Sequence, residues 1–132
     1  MMNLPTPLLV FFGGGLGAVC RWLVTVTAGA HLGAAFPYGT LIANAAGSLL
    51  MGALTAFLLG VNAKDPATGE NLRLLLGVGF LGGFTTFSSF SMETLKLLQG
   101  QGAGAALANI AANLLIGLAC VACGWYLGRA LG

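Results

Sequence analysis

Of 132 residues, 58% are hydrophobic and only 6% charged, with five Lys or Arg against three Asp or Glu and a formal net charge of +2. That composition leaves too little polar surface to clothe a water-soluble globule of this size, so a membrane protein is expected. The few cations are scattered and form no basic patch, which argues against a nucleic-acid partner.

Because a spanning helix takes roughly 20 apolar residues, the charge-free runs count the spans. These runs are Met1 to Cys20, Trp22 to Ala63 with His31 the one side chain in it that could carry charge near pH 7, Leu74 to Met92, and Leu97 to Gly128. The second is long enough for the end of one helix, a turn and a further helix. The expected fold class is therefore an all-α membrane protein, a single domain over 1–132 with four transmembrane helices.

Helix 1 is expected from about Leu8 to Thr27, after Pro5 and Pro7 stiffen its start. No Lys or Arg precedes Leu8 to Phe12, and further spans follow, so this stretch reads as part of a retained helix and not as a signal peptide. Gly13 and Gly17 stand at GxxxG spacing, a surface that a second helix can approach closely, and Arg21 and Trp22 mark the far end. Gly29 to Tyr38 is a short connection closed by Pro37. Helix 2 follows from about Gly39 to Leu59, with Thr40, Asn44, Ser48 and Thr55 recurring near helical spacing as one polar stripe.

Val61 to Asn71, VNAKDPATGEN, reads as a hydrophilic loop. Helix 3 should run from about Leu72 to Leu98, but Gly82, Gly83 and the Thr/Ser/Phe cluster after them predict a break near its middle and two half-helices. Gln99 to Gly104 turns the chain into helix 4, about Ala105 to Leu127, where Asn109 and Asn113 lie one turn apart. Gly124 and Gly128 repeat the GxxxG spacing and serve packing either within one subunit or between two.

With four spans, Lys64, Arg73 and Arg129 fall on one side of the membrane, and Arg21 and Lys96 on the other. Three against two is hardly a bias under the positive-inside rule. The balance suggests a chain that inserts both ways round and pairs as an antiparallel dimer.

Several motifs carry less than they first offer. Gly77, Gly79 and Gly82 satisfy the dinucleotide-binding spacing, and Gly13, Gly15 and Ala18 its looser form, yet both lie in membrane-length apolar runs instead of a strand-turn-helix in water. Cys120 and Cys123 form C-x-x-C among Leu, Ala, Val and Gly, where small packing residues fit better than a redox pair. His31 has no other metal-ligand type beside it. Arg21 and Glu93, at or within helices, suit snorkelling to the headgroups as well as a functional role. The sequence offers no carboxylate pair and no Ser/His/Asp set, so enzyme chemistry has nothing to stand on.

The asparagines Asn44, Asn109 and Asn113 must satisfy amide groups where lipid offers no water; taken singly they glue helices, taken with the hydroxyls they draw a polar track. The sharpest signal is FTTFSSFS, Phe84 to Ser91. On a half-helix starting near Thr86, Phe87 and Phe90 share a face while Ser88 and Ser91 fall on another. Positive ring edges, hydroxyl donors and an electropositive helix start all favour an anion. The carbonyls freed between Gly82 and Thr85 would suit a cation.

Three stretches, Gly13 to Trp22 (GGGLGAVCRW), Pro37 to Gly52 (PYGTLIANAAGSLLMG) and Gly79 to Glu93 (GFLGGFTTFSSFSME), together resemble the CrcB/Fluc fluoride channel family, and the match covers all four helices. The resemblance implies a dual-topology antiparallel homodimer in a bacterial inner membrane. It further implies two fluoride pores, a central structural sodium ion at the breaks in helix 3, and passive export of fluoride from the cytoplasm. It would place Phe87 and Phe90 as pore-lining rings and Asn44 as a pore-facing donor, with Thr86 and Ser88 near the path. Gly82 and Thr85 would offer backbone carbonyls to sodium, and Arg21 would be the vestibule cation. Helix 4 departs from the pattern, since Asn109 and Asn113 stand where the family commonly shows serine or tyrosine hydroxyls; both are carried as pore candidates. The alternatives are a small multidrug-type transporter, which would need an acidic residue buried in helix 1, and a structural membrane subunit in which the polar stripes are glue.

Overall fold

The computed structural model describes residues 5–132, so the first four residues of the expected 1–132 domain lie outside the described part. The described chain is helical, and four of its helical segments are long and apolar enough to cross a membrane: Thr6–Leu32, Tyr38–Lys64, Pro66–Gly100 and Ala103–Leu131. The protein is thus a multi-pass membrane protein, and the large side chains left exposed, such as Phe11, Leu16, Trp22, Leu115 and Tyr126, are those a lipid phase accepts.

Helix α1 (Thr6–Leu32) opens behind Pro5 with Pro7 in its first turn, where a missing N–H costs no helical bond, and stops at Gly33, whose φ of 81° lets the Gly33 N–H close on the Gly29 carbonyl. Helix α2 (Tyr38–Lys64) runs past its expected end at Leu59. The expected hydrophilic loop over Val61 to Asn71 is also mostly helical, because α3 (Pro66–Leu72) begins two residues after α2 ends. The reason is local: Asp65 accepts from the Ala67 and Thr68 N–H groups, each at 3.2 Å, and Pro66 fills the first helical position. The Thr68 hydroxyl and these backbone donors hold the Asp65 carboxyl below the usual carboxylate range.

From Arg73 to Leu81 the third span is wound as a π-helix, continued by α4 (Gly82–Phe84) and, after two extended residues, by α5 (Phe87–Gly100). Gln101 and Gly102, the latter at φ 97°, turn the chain into α6 (Ala103–Leu131). Gly82 and Gly83, expected at the interruption, remain helical; the bend falls on Thr85 and Thr86.

The glycine pairs decide which helices touch. A Cβ on Gly13 would land on the Leu75 carbonyl and one on Gly17 on the Phe80 carbonyl, so α1 lies backbone to backbone against the π-helical segment. Likewise a Cβ on Gly124 or Gly128 would strike the Leu49 or Ala53 carbonyl, which assigns that GxxxG face to packing within one chain, of α6 on α2. The pair α2 and α6 forms the most extensive contact in the bundle. The third span changes partners at its bend: the π-helical segment and α4 pack on α1, whereas α5 packs on α6.

Candidate functional site

The site is built at the bend, where two threonines abandon helical geometry. Thr85 has φ −86° and ψ 157°, Thr86 φ −153° and ψ 119°. Thr85 still closes the preceding turn, its N–H and its hydroxyl both donating to the Leu81 carbonyl at 3.0 and 2.9 Å. The Thr85 methyl is seated against Gly47 of α2, where no larger residue fits. Thr86 caps α5 through its hydroxyl oxygen, which accepts from the Ser89 N–H at 3.2 Å, and it also meets the Ser88 Oγ at 3.3 Å.

Two part-buried backbone groups at Thr86 then need partners that the helix no longer supplies. Asn44 provides both. Its Oδ1 accepts from the Thr86 N–H at 2.8 Å, and its Nδ2 donates to the Thr86 carbonyl at 3.2 Å. In an unbroken helix the Thr86 N–H would instead serve the Gly82 carbonyl, and the Ser89 N–H the Thr85 carbonyl. Those two oxygens are thereby released. The neighbouring Gly83 carbonyl accepts from Arg21 Nε at 3.1 Å.

From Asn44 the polar contacts run onward through α6. Asn44 Nδ2 also donates to Asn113 Oδ1 at 3.1 Å, and Asn113 Nδ2 donates to the Asn109 backbone carbonyl and Oδ1 at 3.0 and 3.1 Å. Asn109 Nδ2 donates to the Thr94 hydroxyl at 2.9 Å, which donates to the Phe90 carbonyl at 2.7 Å. Asn109 is completely buried. Thr94 was not singled out by sequence reasoning, although its spacing from Phe87 and Phe90 places it on their helical face.

Phe87 and Phe90 lie 5.5 Å apart between ring centroids, tilted by 53°. Phe90 is 9% exposed and Phe87 77%. Ser91 turns back on its own helix, donating to the Phe87 carbonyl at 2.9 Å. An open groove of about 410 Å³ runs along the bend, lined by Asn44, Ser48, Thr85, Thr86, Phe87 and Asn113 among others. Asn44, Thr86, Phe87 and Asn113 are therefore brought to one cavity, whereas Asn109 does not line it and Arg21 is held at the Gly83 carbonyl on the α1 side.

One turn before Asn44, the buried Thr40 hydroxyl donates to Glu93 Oε1 at 2.8 Å, and Glu93 Oε2 is buried without a partner. Both residues line a second pocket of about 400 Å³ with Thr25, Tyr38, Lys96 and Gln101. Thr55 departs from the α2 stripe: it is exposed and donates to the Met51 carbonyl of its own helix. Among the described residues no cluster of His, Cys, Asp or Glu could hold a metal ion, so a cation at this bend would depend on neutral oxygens.

A multi-pass helical bundle whose third span bends over a row of carboxamides and hydroxyls belongs to the membrane proteins that keep polar side chains inside their spans, the material from which ion pathways are built. Comparison with known proteins places it more closely: residues 8–125 match the family model described as CrcB-like protein, Camphor Resistance (CrcB), and the chain belongs to that family. It is 43% identical over 122 residues to the fluoride-specific ion channel FluC of Caulobacter vibrioides, covering 92% of this chain and 94% of that one. The FluC of Thermus thermophilus is 48% identical over 124 residues, covering 94% and 95%. That of Clostridium perfringens is 40% identical over 131 residues and covers 99% of both chains.

Proposed function

We propose that this chain forms a passive, fluoride-selective channel that lets fluoride leave the cytoplasm down its gradient, working as an antiparallel homodimer with two pores. The observation that carries the reading is the row of donors at the bend, Asn44 with Asn113 beside it, opening into the same groove as Phe87 and Thr86. Stripping water from a small anion in a low-dielectric interior would cost tens of kcal/mol if nothing replaced it. Neutral donors and positive ring edges in series replace that hydration without holding the ion too tightly to leave.

In this reading Phe87 and Phe90 offer ring edges to the ion, Asn44 offers an N–H, and Thr86 and Ser88 lie along the path. Arg21 supplies positive potential at the vestibule, and Asn113 and Asn109 carry the polar network from Asn44 onto α6. Support for the dimer comes from what a single chain leaves uncovered. Gly82, Phe87, Ser88 and Ser91 are all exposed, and hydroxyls and a released carbonyl facing lipid are costly. A second copy over this face removes the cost.

The released carbonyls of Gly82 and Thr85 are hard, neutral oxygen donors, which fits a weakly charged hard cation such as sodium better than a transition metal. Two half-helices meeting at a break in helix 3 would hold that ion between the two copies. Bound sodium would supply a fixed positive charge that draws the released oxygens together, while the chain's own Asn44 keeps Thr86 in place.

Fluoride efflux from proteoliposomes tests the function: rapid release of fluoride with chloride retained is expected. Equal release of both ions, or of neither, would overturn it.

A further inference from the structure

The amide chain at the bend has a direction. Asn44 Nδ2, Asn113 Nδ2, Asn109 Nδ2 and the Thr94 hydroxyl each donate to the next member, ending on the Phe90 carbonyl. Backbone groups at its ends fix that direction. The Thr86 N–H can only donate, so it selects the Asn44 oxygen; the Asn109 and Phe90 carbonyls can only accept, so they orient the Asn113 amide and the Thr94 hydroxyl. As a result, both Asn44 N–H groups are occupied, one by the Thr86 carbonyl and one by Asn113 Oδ1. Asn113 likewise has both of its contacts as a donor on Asn109.

A passing anion in the groove finds both Asn44 N–H groups engaged and must displace an acceptor. The Thr86 carbonyl belongs to the bend itself, whereas the Asn44–Asn113 contact joins two side chains that both line the groove. Asn109, wholly buried, holds the Asn113 amide so that its oxygen faces Asn44.

Resting on the channel reading above, we propose that Asn113 is a latch and not an ion ligand: its Oδ1 stands in for fluoride on the Asn44 N–H between ions. The arriving anion makes a stronger, charge-assisted bond to Asn44 and pushes the Asn113 oxygen aside. On departure the same oxygen takes the donor back, which speeds release. Asn113 thus sets how tightly and how briefly the ion is held, and Asn109 is its positioning residue.

The test measures initial fluoride efflux from proteoliposomes across a range of fluoride concentrations, for the wild type and for Asn113→Ala. Relieving the competition of one membrane hydrogen bond should lower the half-saturating fluoride concentration about fivefold, with no gain in maximal flux. A higher or unchanged half-saturating concentration overturns the latch, since loss of a ligand weakens binding.

A second measurement uses the wild-type protein with ¹⁵N-labelled asparagine, followed by NMR as sodium fluoride is added at constant sodium. The Asn44 carboxamide protons should shift downfield while the Asn113 N–H protons stay on Asn109. A fluoride-dependent downfield shift at Asn113 overturns the proposal even where Asn113→Ala fails to fold. A wild type that passes no fluoride removes the channel reading and the latch with it; a conducting wild type with either contrary result removes the latch alone.

Discussion

Asn44 does two jobs that substitutions can separate. It pairs both backbone groups of Thr86, and it presents a donor to the groove. Asn44→Leu would leave a part-buried N–H and a part-buried carbonyl without partners, together costing about 1–3 kcal/mol. The detergent-solubilised protein should melt at a clearly lower temperature and carry no fluoride. Asn44→Asp keeps an acceptor for the Thr86 N–H but sets a carboxylate oxygen against the Thr86 carbonyl and Asn113 Oδ1 in place of a donor, so fluoride flux should fall; flux at the wild-type rate would refute the donor role. At the rings, Phe87→Ile and Phe90→Ile each remove the positive aromatic edge while keeping bulk, and flux should drop about tenfold or more, as expected for a loss of roughly 1.4 kcal/mol. Unchanged flux in both variants would remove the rings from the pathway.

At the scale of the element, the third span shows how much of this fold could be read in advance. Four spans, the α2 stripe from Thr40 to Ser48 and the tight faces at Gly13/Gly17 and Gly124/Gly128 were legible, because hydropathy and helical period are local properties of sequence. The bend was expected over Gly82, Gly83 and the cluster after them, with a half-helix starting near Thr86, and it falls on Thr85 and Thr86 of that cluster. Gly82 and Gly83 can break a helix, but what holds the chain open at Thr85 and Thr86 is Asn44, 42 residues away. No local reading contains that contact. The π-winding from Arg73 to Leu81 leaves no sequence mark either; within it Gly79 lies against Gly13 and Gly14 of α1, while Gly77 faces Met51 and Leu54 of α2. The helical character of Pro66–Leu72 is a different kind of miss: Asp65-Pro66 is a helix-start signal, passed over because the stretch is polar.

Helix α1, which packs on that span, allows a controlled comparison. Gly17→Ala would drive a methyl into the Phe80 backbone and should lower stability by about 1–3 kcal/mol. Gly15, two residues earlier, has nothing within 4 Å of an added Cβ, so Gly15→Ala should be neutral or slightly stabilising. Thermal unfolding of the two variants side by side checks this; equal losses would contradict the packing of α1 on the π-helical segment.

At the scale of the whole molecule, the proposed antiparallel pair is tested through its ion and its topology. If sodium joins the two bends, exchanging it for a large organic cation should dissociate the dimer or abolish transport, read by size-exclusion chromatography and by efflux. A dimer that stays intact and conducts without sodium would exclude the structural ion. The near balance of Lys64, Arg73 and Arg129 against Arg21 and Lys96 predicts insertion in both orientations. A single cysteine placed at Thr68, in a chain otherwise free of cysteine, should then be labelled by an impermeant reagent in about half of the molecules, the share that equal insertion of both orientations would give. Labelling of all or none would fix one topology and rule out an antiparallel pair.

The pairing of α2 with α6 also dictates an order of biosynthesis. The second span is made well before α6, the helix that covers its Gly52 and Ala53 face. At roughly 5–20 residues per second, the ribosome leaves that face and the Asn44 amide waiting for several seconds. During that interval the nascent chain is an unfinished bundle exposed to quality-control proteases and to other newly inserted helices. A chain halted after Gly102 should therefore be cleared from the membrane, whereas supplying α6 as a separate peptide during insertion should rescue it.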